Sequence, residues 1–406
     1  MKIEISSGKD QVALLYFSTL VGVLLGIISS IINTRFLDPL AYGDVRYVQN
    51  IINLVASLLL FGYFLSGSRL LALSKDEQYS SRVRGAMVII LLIACVILMS
   101  VTGLCYFIYN NSSVSILFLI SLPVCISPLL SNYVNTTAQG DNHIARLSIS
   151  RLLPALLYVP IAYLVYKYLG ASSTKMILLQ WGISTLVLLF VIISTRPSFK
   201  SLRPVFAEFH RENRDYGFQL YLGSLVMVST NYLAGIFIGQ FNEDYSQVGY
   251  YTLALTITSP LTMLPAIIGT TYFKQFASET RIPTRVMKFT LLLTVFSGIL
   301  FVLIIKPFVV FLYSERYSIV GLYASVLAIG FCIHGFGDML NRYLGSQGQG
   351  VSIRNASIAN GLFKILGYSV LVYFFNTMGA VITTIACDII YTAVLIVYYK
   401  RFVNSN

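Results

Sequence analysis

The stretch GAMVIILLIACVILMSVTGLCYFIY, Gly85 to Tyr109, runs 25 residues without a charge. As a helix rising about 1.5 Å per residue it is long enough to cross a hydrocarbon core of about 30 Å. Every face of that helix is apolar, so none is suited to water. Two arginines, Arg82 and Arg84, stand just before it. The segment reads as a membrane span with a cationic flank.

Similar runs lie on both sides of it. The first half carries spans at Val12 to Asn33, Val45 to Leu65, Gly85 to Tyr109, Val114 to Val134, Leu147 to Tyr168 and Ser172 to Ser194. The second half carries Gly217 to Gly239, Gly249 to Phe273, Val286 to Lys306, Ile319 to Leu340, Ala356 to Phe375 and Gly379 to Tyr399. About twelve spans of about 20 residues each consume most of the chain. The remainder of the 406 residues is divided among tails and short connectors, which leaves no room for a soluble domain. Composition agrees: 56% of residues are hydrophobic and 11% charged, against about a quarter charged in soluble domains. The expected class is an all-α polytopic membrane protein, and most soluble-enzyme readings are excluded.

Lys and Arg set the orientation, because positive connectors stay on the cytoplasmic side. Of the 28 such residues, six (Arg35, Arg46, Lys167, Lys175, Lys306 and Arg316) fall on the outer side, Lys364 lies inside a span, and the other 21, from Lys2 to Arg401, fall on the inner side. One missed span would invert that bias downstream, so both termini are expected in the cytoplasm. The first apolar run has span length and no small-residue cleavage site after it, and reads as a retained helix. The net charge of +12 is then the inner-side signal and needs no nucleic acid.

The two halves repeat. Gln139-Gly140 is followed by Arg146, and Gln347-Gly348 by Arg354, at a common offset of 208. RFLDPLAYGD, Arg35 to Asp44, follows the first span, and QFNEDYSQVGYY, Gln240 to Tyr251, follows the seventh; Gly43 matches Gly249 at offset 206. Six is even, so both halves enter the membrane in the same direction and the repeat is parallel. The expected domains are six-helix bundles at residues 1–206 and 207–406. The polar segment Arg196 to Asp215, with HRENRD at its end, reads as a cytoplasmic linker holding a short interfacial helix.

No G-x-x-x-x-G-K-[ST] phosphate loop, H-E-x-x-H or G-x-S-x-G is present, and the five cysteines show no metal-ligand spacing. No cofactor or metal is expected. The informative residues are charges in hydrocarbon, each costing about 2.5 to 3.5 kcal/mol on insertion scales. Lys364 lies about 12 Å from the inner end of the eleventh span and Asp388 about 14 Å from the outer end of the twelfth. At that similar depth they form either a structural ion pair or part of a cavity for an anionic head group, with Asp388 tuning the lysine or taking a coupling proton. Asp338 and His334 stand near the inner end of the tenth span beside Arg342, where a snorkelling interfacial cluster is the plain expectation. Arg35, Arg46 and Arg69 flank the first two spans. Pro123, Pro128, Pro154, Pro160, Pro260 and Pro265 fall within spans, where proline bends a helix and frees carbonyls.

RFLDPLAYGD, the GYF-x-x-x-x-R pattern from Gly62 to Arg69, VGYYTLA from Val248 to Ala254 and KPFVVFLYSERY from Lys306 to Tyr317 together resemble the polysaccharide-unit flippases of the O-antigen (Wzx) type. Multidrug exporters of the MATE kind and lipid-linked peptidoglycan-precursor flippases belong to the same superfamily. The resemblance implies a V-shaped pair of six-helix bundles around a rather cationic cavity. It further implies alternating access that moves an undecaprenyl-diphosphate-linked oligosaccharide across the bacterial inner membrane, as lipopolysaccharide synthesis requires. A polysaccharide polymerase and a chain-length regulator are the partners it suggests, besides membrane lipids. The substrate-binding residues would be Lys364, the flanking Arg35, Arg46 and Arg69, and the polar Asn231, with Asp388 and Asp338 as coupling or ion-pair groups. No mid-span Arg or Lys occurs in the first half, a departure from that cationic plan.

Two alternatives stay open. A multidrug or cation exporter of the same fold would use an intramembrane carboxylate such as Asp388. A membrane polymerase or glycosyltransferase would use acids such as Asp38 and Asp44, but the outer connectors are short and Asp38 stands in a turn rich in Pro and Gly, where it reads as structural.

Overall fold

The computed structural model describes residues 8–109 and 113–405, and the regular structure among them is helical throughout. Lys2, counted above on the inner side, lies outside the described residues. Eight described helices are long and apolar enough to cross a membrane, or nine if the bent pair Pro39–Leu58 and Tyr63–Leu73, turned by 58°, counts as one. That is fewer than the twelve expected from hydropathy, and broken or merged helices explain part of the difference. The stretch from Val114 to Val134 is divided into two short helices, Ser113–Ser121 and Ser127–Gly140, around Pro123 and Pro128. Conversely, Gly350–Ser405 counts once although its 56 residues exceed what one crossing needs. Asn376, at φ 50° and ψ −137°, breaks it at the boundary expected between the last two spans.

The chain forms two compact units, one of Met1–Leu37 with Tyr47–Leu225, the other of Asp38–Arg46 with Val226–Asn406. The first unit contains α1 (Gly8–Phe36), most of α2 (Pro39–Leu58), α3 (Tyr63–Leu73), α4 (Glu77–Ile108), α5 (Ser113–Ser121), α6 (Ser127–Gly140), α7 (Ile144–Leu169), α8 (Ser173–Ser194), α9 (Leu202–Glu212) and the start of α10 (Phe218–Phe241). There α1 packs along α7 and α3 along α6. Buried Asn33 on α1 accepts hydrogen bonds from the Tyr158 and Tyr166 hydroxyls of α7. Such pairing is what makes a polar residue tolerable in an apolar interior. The linker expected from Arg196 to Asp215 does contain a short helix, α9, which lays Val205 and Phe209 inward and leaves Arg203 and Arg211 exposed.

Arg84 of α4 was counted above as one of the inner cations. The structure buries it: its side chain is 3% exposed and its guanidinium meets Asp141 at 3.2 Å and Glu77 at closer range. Arg146 approaches the same Asp141 at 3.5 Å. Burial pushes the Asp141 carboxyl above the usual carboxylate range, and the two guanidiniums pull it back.

The second unit is built on α15 (Ser318–Ser346), which packs against α11 (Ser246–Thr258), α12 (Pro260–Thr271), α14 (Thr284–Tyr313) and α16 (Gly350–Ser405). Half of the α15 span is buried against 17% of the α14 span. Leu292, Phe296, Leu303 and Phe311 of α14 are exposed, as expected of side chains that meet lipid. Between α12 and α14 the one-turn α13 (Phe273–Phe276) buries Phe276 against Tyr343. Proline at the start of α12 explains why the stretch Gly249 to Phe273 is two helices rather than one.

The first two turns of α2, up to Arg46, belong to this unit and meet α11 at the two repeat-related glycines. A Cβ on Gly43 would stand 1.9 Å from the Tyr245 carbonyl oxygen, and one on Gly249 would stand 3.2 Å from the Gly43 Cα. Only glycine permits that approach.

Candidate functional site

Inside the second unit lies a cavity of about 510 Å³. Its walls follow from helical periodicity, which places residues three or four apart on one face. From α15 come Phe331, His334, Asp338 and Asn341; from the two halves of α16 come Asn360, Lys364 and Tyr368, then Thr384, Asp388 and Tyr391. Asn231 of α10, Tyr251 and Leu255 of α11, and Ser259 and Thr262 at the α11 to α12 break complete it. Every lining residue belongs to the second unit.

Lys364 and Asp388 do share the cavity, but Asp388 takes a different partner. Its Oδ1 lies 2.9 Å from His334 Nδ1, while His334 Nε2 lies 3.8 Å from Asp338 Oδ1. Lys364 has no carboxylate within 4 Å among the described residues. His334 and Asp338, expected as an interfacial cluster, therefore face the cavity, with the imidazole set between the two acids and stacked on Tyr391 at 4.8 Å. Tyr391 donates to Asp338 at 3.3 Å and accepts from Asn341 at 2.7 Å. Deeper in, the Thr384 hydroxyl donates to the Ala380 carbonyl, so the Tyr251 and Tyr368 hydroxyls, 2.8 and 3.1 Å away, donate to Thr384.

Two buried oxygens, Asp388 Oδ2 and Asn360 Oδ1, have no hydrogen-bond partner among the described residues. Such atoms are rare in folded proteins. Both line the cavity, so they offer acceptors to whatever enters it. One ammonium faces two carboxylates here, so this cavity is less cationic than the resemblance implies.

The remaining candidates lie elsewhere. Arg69 is tied by a 2.6 Å ion pair to Glu212 and lies over the Tyr216 ring at 4.5 Å, a clamp from α3 to the turn after α9. Arg46 lies over the Tyr42 ring at 4.9 Å, and Arg35 is exposed at the end of α1. None of the three lines the cavity; Asn231, Asp338, Lys364 and Asp388 do. The sequence reading missed His334 as the partner of Asp388. Its signal was the spacing His334, Asp338, Asn341 on one face, level with the acid of α16.

The fold is similar to that of several solved membrane transporters. The lipid II flippase MurJ in an inward closed conformation superposes with a TM-score of 0.74 at 15% identity, over 96% of this chain and 87% of that one. An inward-facing multidrug resistance MATE family transporter superposes with a TM-score of 0.72 at 14% identity, over 95% of both chains. A MOP superfamily transporter from Pyrococcus furiosus gives 0.60 at 13% identity, over 97% and 94%. No curated protein matches. Residues 9–278 match the model of the polysaccharide biosynthesis protein family, and the chain belongs to that family.

Proposed function

We propose that the protein flips an undecaprenyl-diphosphate-linked oligosaccharide, of the O-antigen repeat-unit kind, from the cytoplasmic to the periplasmic leaflet of a bacterial inner membrane by alternating access. The observation that carries this reading is Lys364, a cation at mid-span with no carboxylate within 4 Å among the described residues, in a cavity whose walls carry tyrosine, asparagine, serine and threonine side chains as well as His334, Asp338 and Asp388. An unpaired ammonium in hydrocarbon is costly. A diphosphate would neutralise it, and the hydroxyl and amide groups, with the unpartnered Asn360 oxygen, suit sugar hydroxyls. The lipid tail stays in the bilayer. Family membership supports the substrate class, since a polysaccharide pathway needs a flippase for its lipid-linked units. No catalytic role is assigned to any residue. The residues 1–206 and 207–406 act as the two halves of the transporter, both termini are cytoplasmic, and a polymerase and chain-length regulator take up the product. In cells lacking the gene, lipid-linked repeat units accumulate and the surface polysaccharide is lost. Wild-type protein restores it, and Lys364→Ala does not although it reaches the membrane; full restoration by Lys364→Ala removes Lys364 from the site.

One observation favours a second reading. Beside the His334 imidazole the cavity sets one ammonium against two carboxylates, and buried Asp388 keeps one oxygen without a hydrogen-bond partner among the described residues. That balance suits export of an organic cation, the first alternative named above.

A further inference from the structure

A second cavity, about 670 Å³, opens in the first unit where the start of α4 meets the α8 to α9 connector. Arg82, Arg196 and Lys200 line it together with Ser198 and Ser201. None of the three cations has a carboxylate within 4 Å among the described residues, and the one acid on the wall, Glu77, is engaged by the buried Arg84. The wall is built rather than loose. Ser198 donates its backbone N–H to the Ser81 carbonyl at 2.8 Å, and Ser81 donates its hydroxyl to the Arg196 carbonyl at 2.6 Å. Gly85 lets that strand of chain lie flush on α4, since a Cβ there would come within 2.0 Å of the Ser198 oxygen. Arg196 and Ser201 are held at φ 50° and 52°, in the left-handed region.

The apolar surroundings tell what kind of anion belongs there. Phe190 and Ile193, in the last turns of α8, are 71% and 72% exposed, and Phe199, beside Lys200, is 56% exposed. Acyl chains lying along that surface would bring a phosphate to the three cations. A soluble phosphate makes no use of it.

We propose that this cavity is a seat for the head group of an anionic phospholipid, such as phosphatidylglycerol, held by Arg82, Arg196 and Lys200 at the polar end of α4 and α8. Basic pockets at the cytoplasmic ends of membrane helices bind such head groups by charge neutralisation near the surface. The site is separate from the cavity of the second unit and does not rest on the function proposed for it.

The test is native mass spectrometry of the detergent-solubilised full chain titrated with phosphatidylglycerol and with phosphatidylcholine. Wild-type protein should retain the first phosphatidylglycerol far more tightly than phosphatidylcholine, and the triple variant R82Q/R196Q/K200Q should lose at least about tenfold in that affinity. The charge-matched variant R281Q/R285Q/K288Q, altered at exposed positions of the second unit, should keep it. Equal losses in both variants, or no preference over phosphatidylcholine, would overturn the proposal. Displacement of the lipid by inorganic phosphate at millimolar levels would overturn the assignment to a lipid.

Discussion

At the residue scale, Lys364 and Asp388 separate the two readings of the cavity. If the cargo is a diphosphate, Lys364→Ala should abolish flipping while Lys364→Arg retains much of it, because the cation is what the phosphate needs. Asp388→Asn, nearly isosteric, should then keep at least about a third of wild-type transport, since losing a repulsive carboxylate near an anion costs little and the amide still faces His334. A cation exporter predicts the reverse order: Asp388→Asn inactive, Lys364→Ala active in drug efflux. Measuring both variants in both assays decides. Lys364 and Asp388 were legible as mid-span charges because a lone charge among apolar residues stands out. Their partners were not, because a 2.9 Å contact between His334 and Asp388 depends on how α15 and α16 are rotated about their axes.

At the element scale, two packing features carry testable costs. Gly43→Val places side-chain atoms where the Tyr245 carbonyl already is, and should cost at least about 3 kcal/mol or abolish folded protein, measured by thermal unfolding in detergent. Asp141→Ala leaves the buried Arg84 with Glu77 alone and Arg146 without its carboxylate, and should cost about 3 kcal/mol in the same measurement. Losses under ~0.5 kcal/mol would show that neither contact matters to the fold. Of the six prolines within spans, Pro260, Pro123 and Pro128 stand at or near breaks, for proline cannot donate to the preceding turn, whereas Pro154, Pro160 and Pro265 lie inside continuous helices. The burial of Arg84 was hidden, because a charge flanking a span looks the same in sequence whether it faces water or a carboxylate brought in from residue 141. The close approach of Gly43 to Gly249 was half visible: the repeat matched them, and only the packing shows that they touch.

At the scale of the whole molecule, the all-helical membrane class was legible in the scarcity of charge, and the order of short motifs pointed to the polysaccharide biosynthesis family. The number of crossings was less so, since hydropathy cannot tell a continuous helix from two that meet at a bend or a break such as Asn376. The distribution of Lys and Arg predicts a cytoplasmic C-terminus. A green fluorescent protein fused after Asn406 should fluoresce in intact cells, as it does in the cytoplasm, and a dark but full-length fusion would place that end outside. The central claim is that Lys364 in the second-unit cavity receives a lipid-linked diphosphate on its way across the membrane. Its most direct test reconstitutes purified protein into liposomes with a fluorescent undecaprenyl-diphosphate-linked oligosaccharide and follows leaflet exchange by quenching from outside. Wild-type protein should exchange the lipid at least about tenfold faster than Lys364→Ala, which should match protein-free liposomes. Equal exchange by the two proteins, or none by wild type while it exports an organic cation, would contradict the account.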